Sequence, residues 1–314
     1  MAFPSLRRAV TRRLGIDALR ADHATQAAAL AAHQAALDQH AADLVALHQQ
    51  IERAHEQIAA LRDEHRAAAL AQTVIWATLW NAGDPMQLST TVSVVLPTRN
   101  RADLLPRAVQ SVLRQANVQV ELIVVDDGST DHTAAVLAGI DDRRLVVLQG
   151  GGTGAAAARN LAIGRATGEV IAFADDDNIM APGWLAAAAG HLRTHESTAA
   201  VYGAQIREPE DDGDITLLYR VPFSRDDMLL GPFIDLGATA FRAGTGELHF
   251  DESLTALIDW DMLIRVTAQS RLDAIPVLAS LYTTSAPNRI STRPDKADAL
   301  QTVQARAAAE RAAR

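Results

Sequence analysis

The sequence predicts an α/β domain on a mostly parallel sheet, preceded by a long helical arm. Two observations predict it. From residue 91 onward, β-branched runs alternate with amphipathic stretches, and strands alternating with helices build a parallel sheet flanked by helices. From Ile16 to Ala82 there is neither glycine nor proline, and Ala, Leu, Gln, His, Glu and Arg dominate, which is helix composition. A chain of 314 residues has room for one large domain plus an extension.

The arm comes first, at residues 1–82. Leu30, Leu37, Leu44, Ile51 and Ile58 recur every seven residues, and Leu47, Ala54 and Leu61 fall three later. That is the seam of a coiled coil, weakened where His33 and His40 take its earlier inner positions. At ~1.5 Å per residue such a helix is too long for one domain to cover, so it is expected to pair with another copy or fold back, making a homo-oligomer the expected assembly. Six of the ten histidines lie in the arm and are read as seam or solvated residues rather than a metal site. The segment 83–90 brings Gly83 and Pro85 and is expected to be a linker, with the α/β domain at 91–314.

The elements of that domain follow in order. "TVSVVLP" is a buried strand, "LLPRAVQSVLRQ" a helix and "VELIVVDD" a second strand. "DHTAAVLAGI" is a helix, "RLVVLQ" a third strand, "GAAAARNLAIGRA" a helix and "EVIAFA" a fourth strand. In such sheets ligands bind beyond the carboxyl ends of the strands. The polar clusters of this sequence stand there.

Composition narrows the chemistry. There is no cysteine, which excludes disulfides, thiolate nucleophiles and sulfur-ligated zinc. A net charge of -9 argues against nucleic acid as a partner. The first twenty residues are Arg-rich and lack the continuous apolar core of a secretory signal, so a cytoplasmic location is expected, with weak contact to an anionic membrane surface as the alternative use of that basic start.

The strand ends carry the candidate site. The first strand ends in Pro97, Thr98, Arg99 and Asn100, and the second in Asp126 and Asp127 ahead of Gly128. Asp126 and Asp127 can accept hydrogen bonds from a base or ribose. Gly152, Gly154 and Ala157 follow the third strand with the spacing of a dinucleotide fingerprint, and Asp175 comes about twenty residues later. An NAD-dependent oxidoreductase is therefore one reading. The fourth strand runs into Asp175, Asp176 and Asp177. Three adjacent carboxylates repel one another unless a cation sits among them, and Mn2+ or Mg2+ commonly uses one or two carboxylates together with substrate phosphates. Further on, Asp259 and Asp261 open an amphipathic helix, with Asp251 and Glu252 before it; Asp259 is the candidate general base.

In that order, "VSVVLPTRNRADLLPRAVQSVLRQ", "ELIVVDDGSTD", "GAAAARNLAI", "FADDDNIMAPGWL" and "FDESLTALIDWDMLIRV" resemble the inverting family 2 glycosyltransferases of the GT-A fold. With "FIDLGATAFR" they are similar to the spore-coat polysaccharide type. The resemblance implies a Rossmann-like mixed sheet and a nucleotide-sugar donor, with UDP favoured. It implies donor contacts from Pro97, Thr98, Asn100, Asp126, Asp127, Gly154, Arg159, Asp175 and Asp176, metal at Asp177, and Asp259 as base. Ile258 stands where the family often has Glu, and Arg289 or Ser291 is a candidate phosphate contact. A catalytically inactive nucleotide-sugar-binding scaffold is the non-enzyme alternative.

Overall fold

A computed structural model describes residues 15–80, 88–207, 216–218, 223–282 and 296–313. The chain divides into two compact units, residues 1–71 and 72–314. Helix α1 (Ile16–Trp80) accounts for the first. Of its seam, Leu30 is 72% and Leu44 67% exposed, and Leu37, Leu47 and Ile51 are exposed as well; the side chains of Ile58 and Leu61 lie outside the described ones. No helix among the described residues is long and apolar enough to cross a membrane. Residues 83–87 of the expected linker lie outside the described residues. Leu88 and Thr90 are buried, and the Leu88 amide donates to Asn117 O at 2.9 Å, so the second unit is already packed at Leu88.

That unit is one mixed sheet with helices on both faces. In chain order its elements are β1 (Thr91–Thr98), α2 (Leu105–Leu113), β2 (Gln119–Asp126), α3 (Thr133–Ala138), β3 (Leu145–Gln149), α4 (Ala155–Arg165) and β4 (Val170–Phe173). Then come β5 (Ile179–Met180), α5 (Trp184–Thr194), β6 (Thr198–Arg207), β7 (Thr216–Leu218), α6 (Arg225–Leu230) and a 3-10 turn at Leu236–Ala238. The chain closes with β8 (Thr239–Arg242), α7 (Ile258–Gln269), β9 (Arg271–Tyr282) and α8 (Lys296–Ala313). The strand order is β3-β2-β1-β4-β8-β6-β9-β5, with β7 beside β6. The four strands read from the sequence pair in parallel. β4 meets β8 antiparallel, and the sheet is mixed from there.

Strand alternation divides the core. Val92, Val94 and Leu96 of β1 face one side with Leu105, Val109 and Val112 of α2 and Trp184 and Leu192 of α5. Val95 faces the other with Ala158 and Ala162 of α4, Phe173, Phe241, Phe250 and Trp260 of α7. The alanines of α4 let that helix lie close to β1 and β2. Phe173 meets Phe241 and Phe250 edge-on, at 5.8 Å and 5.6 Å, the geometry aromatic quadrupoles favour. Pro97 is tolerated in a central strand because the β1–β4 register ends at Val95, so its missing amide falls past that pairing.

Candidate active site

The parallel strands end on a cleft of about 650 Å³. Its walls hold Pro97, Thr98, Asn100, Asp127, Gly154, Arg159, Asp175, Asp176, Asp177 and Asp259. Ten of the eleven residues expected as donor, metal or base contacts thus come together. Asp126 does not line the cleft: its Oδ1 accepts the Ser129 amide at 2.9 Å and closes the turn after β2. Arg289 and Ser291 lie outside the described residues.

Asp127 anchors the glycine loop. Its Oδ1 accepts the Thr153 amide at 2.9 Å and its Oδ2 the Gly154 amide at 2.8 Å, so both oxygens tie down the glycine loop. That loop has Gly151, Gly152 and Gly154 at φ of 76°, 79° and 103°, values that an L side chain rarely adopts. A Cβ on Gly150 would come within 3.0 Å of Asp127 Oδ1. The glycine spacing therefore serves a loop folded over a carboxylate. Asn100, at φ 55°, likewise ties two loops together: its Oδ1 accepts the Thr130 amide at 2.7 Å and its own amide donates to Ser129 Oγ at 2.9 Å.

Asp176 and Asp175 of the aspartate trio are each held by their own partners. Thr98 Oγ1 donates to Asp176 Oδ2 at 2.8 Å, and Arg101 Nε stands 3.7 Å from its Oδ1. Burial pushes the Asp176 carboxyl up to about 7, against the Thr98 hydrogen bond and Arg101, while the charges of Asp177 and Asp175 push the same way as burial. Arg159 Nη2 donates to Asp175 Oδ1 at 2.7 Å, its guanidinium lies 5.5 Å from the centre of the Phe250 ring, and its buried Nε has no partner among the described residues.

Two more groups complete the acidic wall. Asp259 enters at the start of α7, and burial raises its carboxyl, with the nearby Arg159 opposing and Asp175 reinforcing the shift. Asp235, not singled out in the sequence, lines the same cleft. Burial raises its carboxyl too, reinforced by Asp175 and Asp259. An added Cβ at Gly237 would lie 3.1 Å from Asp235 Oδ1 and 3.9 Å from Asp175 Oδ2, so that glycine leaves room for two carboxylates around one spot. The only sequence cue was its place in "FIDLGATAFR".

The donor set suits a hard divalent cation. Carboxylates whose protons are held partly by mutual repulsion gain from a positive charge among them. No group of three or more His, Asp or Glu side chains placed to hold a metal ion occurs among the described residues, so a Mg2+ or Mn2+ ion there would need further oxygen ligands.

A family model described as glycosyl transferase family 2 matches residues 93–255, just over half the chain. WcaA of Escherichia coli (strain K12), provisionally named for colanic acid biosynthesis, is 30% identical over 189 residues, covering 57% of this chain and 66% of that protein. The succinoglycan biosynthesis protein ExoO of Rhizobium meliloti (strain 1021) is 39% identical over 116 residues, 37% of this chain and 31% of its own. The chain thus spans less than two thirds of the length of these relatives. Among solved structures, S. aureus TarS 1-349 in complex with UDP-GlcNAc superposes with a TM-score of 0.58 at 20% identity, over 68% of this chain and 65% of that one. The mannosyltransferase PcManGT from Pyrobaculum calidifontis, in complex with GDP-Man and Mn2+, gives 0.55 at 22%, over 79% and 74%. At these identities the likeness is one of fold, the GT-A fold.

Proposed function

Because the chain belongs to glycosyl transferase family 2, we propose that its cleft binds a nucleoside-diphosphate sugar and transfers the sugar to an acceptor hydroxyl with inversion. One observation carries the reading: a strand-end aspartate trio and a helix-borne Asp259 of raised proton affinity share one cleft. A carboxylate whose proton affinity is raised toward neutrality is a better general base than an ordinary one.

Asp259 takes the proton of the acceptor hydroxyl as its oxygen bonds to the anomeric carbon. The bond from that carbon to the donor diphosphate breaks in the same displacement, and its electron pair leaves with the diphosphate. No covalent sugar–enzyme intermediate is needed. Pro97, Thr98 and Asn100 bound the nucleobase end of the cleft and Asp176 the ribose, while Asp127 and Gly154 shape it through the glycine loop. Asp177, beside Asp175, would hold Mn2+ or Mg2+, which when bound supplies positive charge to the departing diphosphate. The sugar nucleotides and Mn2+ named in the neighbouring complexes support this choice of donor and ion.

The domain plan we propose has residues 1–82 as the arm, 83–87 as the connection and the remainder as the transferase. The exposed heptad seam of α1 joins two copies. The absence of cysteine accords with the cytoplasm.

Two variants test the division of roles. Asp177→Asn weakens donor binding in the presence of Mn2+. Asp259→Asn leaves donor affinity near wild type and lowers nucleoside diphosphate release by about 100-fold or more, the scale of a lost general base. Equal loss of donor affinity in both variants would overturn the reading.

A further inference from the structure

Helix α8 lies wholly beyond the segment matched by the family model. It packs on α6 and α7 through Val303 and Ala307, both buried. From the same helix, Arg306 Nη1 donates to Asp261 Oδ1 at 2.6 Å and its Nη2 to Asp251 Oδ2 at 2.7 Å. Asp251 and Asp261 bracket the stretch that forms one wall of the cleft, residues 252 and 254–259.

Leu254, Ala256 and Ile258 anchor that wall in the core, and Asn160 Nδ2 donates to Phe250 O at 2.9 Å and to Glu252 Oε1 at 2.8 Å. Leu257, which precedes α7, sits at φ 57°, and no side chain caps the helix there. A leucine at positive φ is strained and persists only where its surroundings impose it. Buried Ala256 and Ile258 on either side of it supply part of that constraint, and the ends of the wall add to it. Asp261 is 1% exposed, and its second oxygen accepts Arg265 Nε at 3.0 Å. Asp251 Oδ1 accepts the Ser253 amide at 2.9 Å and its hydroxyl at 2.6 Å, and with Arg306 this holds its carboxyl down at about 2. A guanidinium can bond two carboxylates at once through separate nitrogens. A lysine ammonium is a point charge without that fork.

We propose that Arg306 is a positioning residue: by bridging Asp251 to Asp261 it fixes the 251–259 wall and so the aim of Asp259 into the cleft. The C-terminal helix is thereby part of the apparatus for transfer, although none of it touches substrate. This rests on the reading of Asp259 as general base.

The test uses the full chain with Arg306→Ala and Arg306→Lys. Three readouts are taken: hydrogen exchange of the 250–260 backbone, affinity for UDP and GDP with Mn2+ by calorimetry, and kcat for sugar-nucleotide hydrolysis. In Arg306→Ala, exchange over 250–260 accelerates while that over 150–159 does not. The kcat falls by about tenfold or more, as expected of a misaimed base, and nucleotide affinity stays within about twofold. Arg306→Lys falls between, because one ammonium cannot hold both carboxylates. Wild-type exchange over 250–260 in Arg306→Ala, full recovery of kcat in Arg306→Lys, or nucleotide affinity falling in step with kcat would each overturn the proposal. Should Arg306→Ala fail to fold, Asp251→Asn opens the same bridge while sparing the buried Asp261 contact, and the same three readouts decide. If Asp259→Asn keeps its turnover, the base assignment fails. If Asp259→Asn is dead while Arg306→Ala turns over and exchanges as wild type, only the positioning role fails.

Discussion

Asp127→Asn separates a carboxylate that holds a loop from one that reads a base. In the structure both oxygens accept backbone amides, from Thr153 at 2.9 Å and Gly154 at 2.8 Å. Asparagine keeps one acceptor and turns an NH2 against the other amide. The change weakens one charge-assisted bond and breaks the second, each worth ~1.5–3 kcal/mol. Thr153 is exposed and Gly154 half-buried, so water compensates in part and the lower value applies to the broken bond with a fraction of it for the weakened one, giving about 2 kcal/mol. For a domain of this size ~2–4 °C of melting temperature goes with each kcal/mol, so a fall of about 4–8 °C is expected. Nucleotide affinity falls with it, because the released loop forms part of the cleft wall. The assay is a thermal melt followed by circular dichroism, with UDP titration in parallel. A melt within a degree of wild type combined with lost UDP affinity would refute the loop-tying role and return Asp127 to direct base contact.

Two further outcomes follow from the site and the arm. Burial raises the Asp259 carboxyl, and a base works only when deprotonated, so nucleoside diphosphate release climbs with pH through a limb centred above the ordinary value of ~3.9 for aspartate; a limb at the ordinary carboxylate position would contradict the buried environment. Removing residues 1–80 lowers the oligomer size in sedimentation velocity while donor hydrolysis survives, and an unchanged sedimentation profile would refute the seam as a joining surface.

The parallel half of the sheet is legible in the sequence because its strands are covered on both faces. β1 and β2 read as near-unbroken apolar runs and end in polar clusters that mark the carboxyl edge. The antiparallel half is harder to see. Gln205 in β6 and Ser280 in β9 are buried polar residues whose partners are far apart in the chain, with Gln205 Nε2 donating to Ser280 Oγ at 3.0 Å and the Gln205 side chain also hydrogen-bonded to Asp235. Asp235 escapes notice for a similar reason: its proton affinity is raised by burial and by Asp175 and Asp259, which are distant in the chain. At Asp127 the residue type was legible but its bonds to the Thr153 and Gly154 amides were not, because a carboxylate beside glycines can serve a ligand, the loop or both. Helix α8 carries no motif, and its importance lies in one guanidinium whose two partners are far upstream.

Asp259 and Asp261 are two steps apart on α7, a rotation of about 200° about the helix axis. One faces the cleft and the other faces the guanidinium groups of Arg265 and Arg306. A residue gained or lost within α7 between Asp259 and Asp261 would turn one acid relative to the other by about 100° and take one of them from its partners. The two-residue spacing of these acids is therefore itself part of the geometry of the cleft wall.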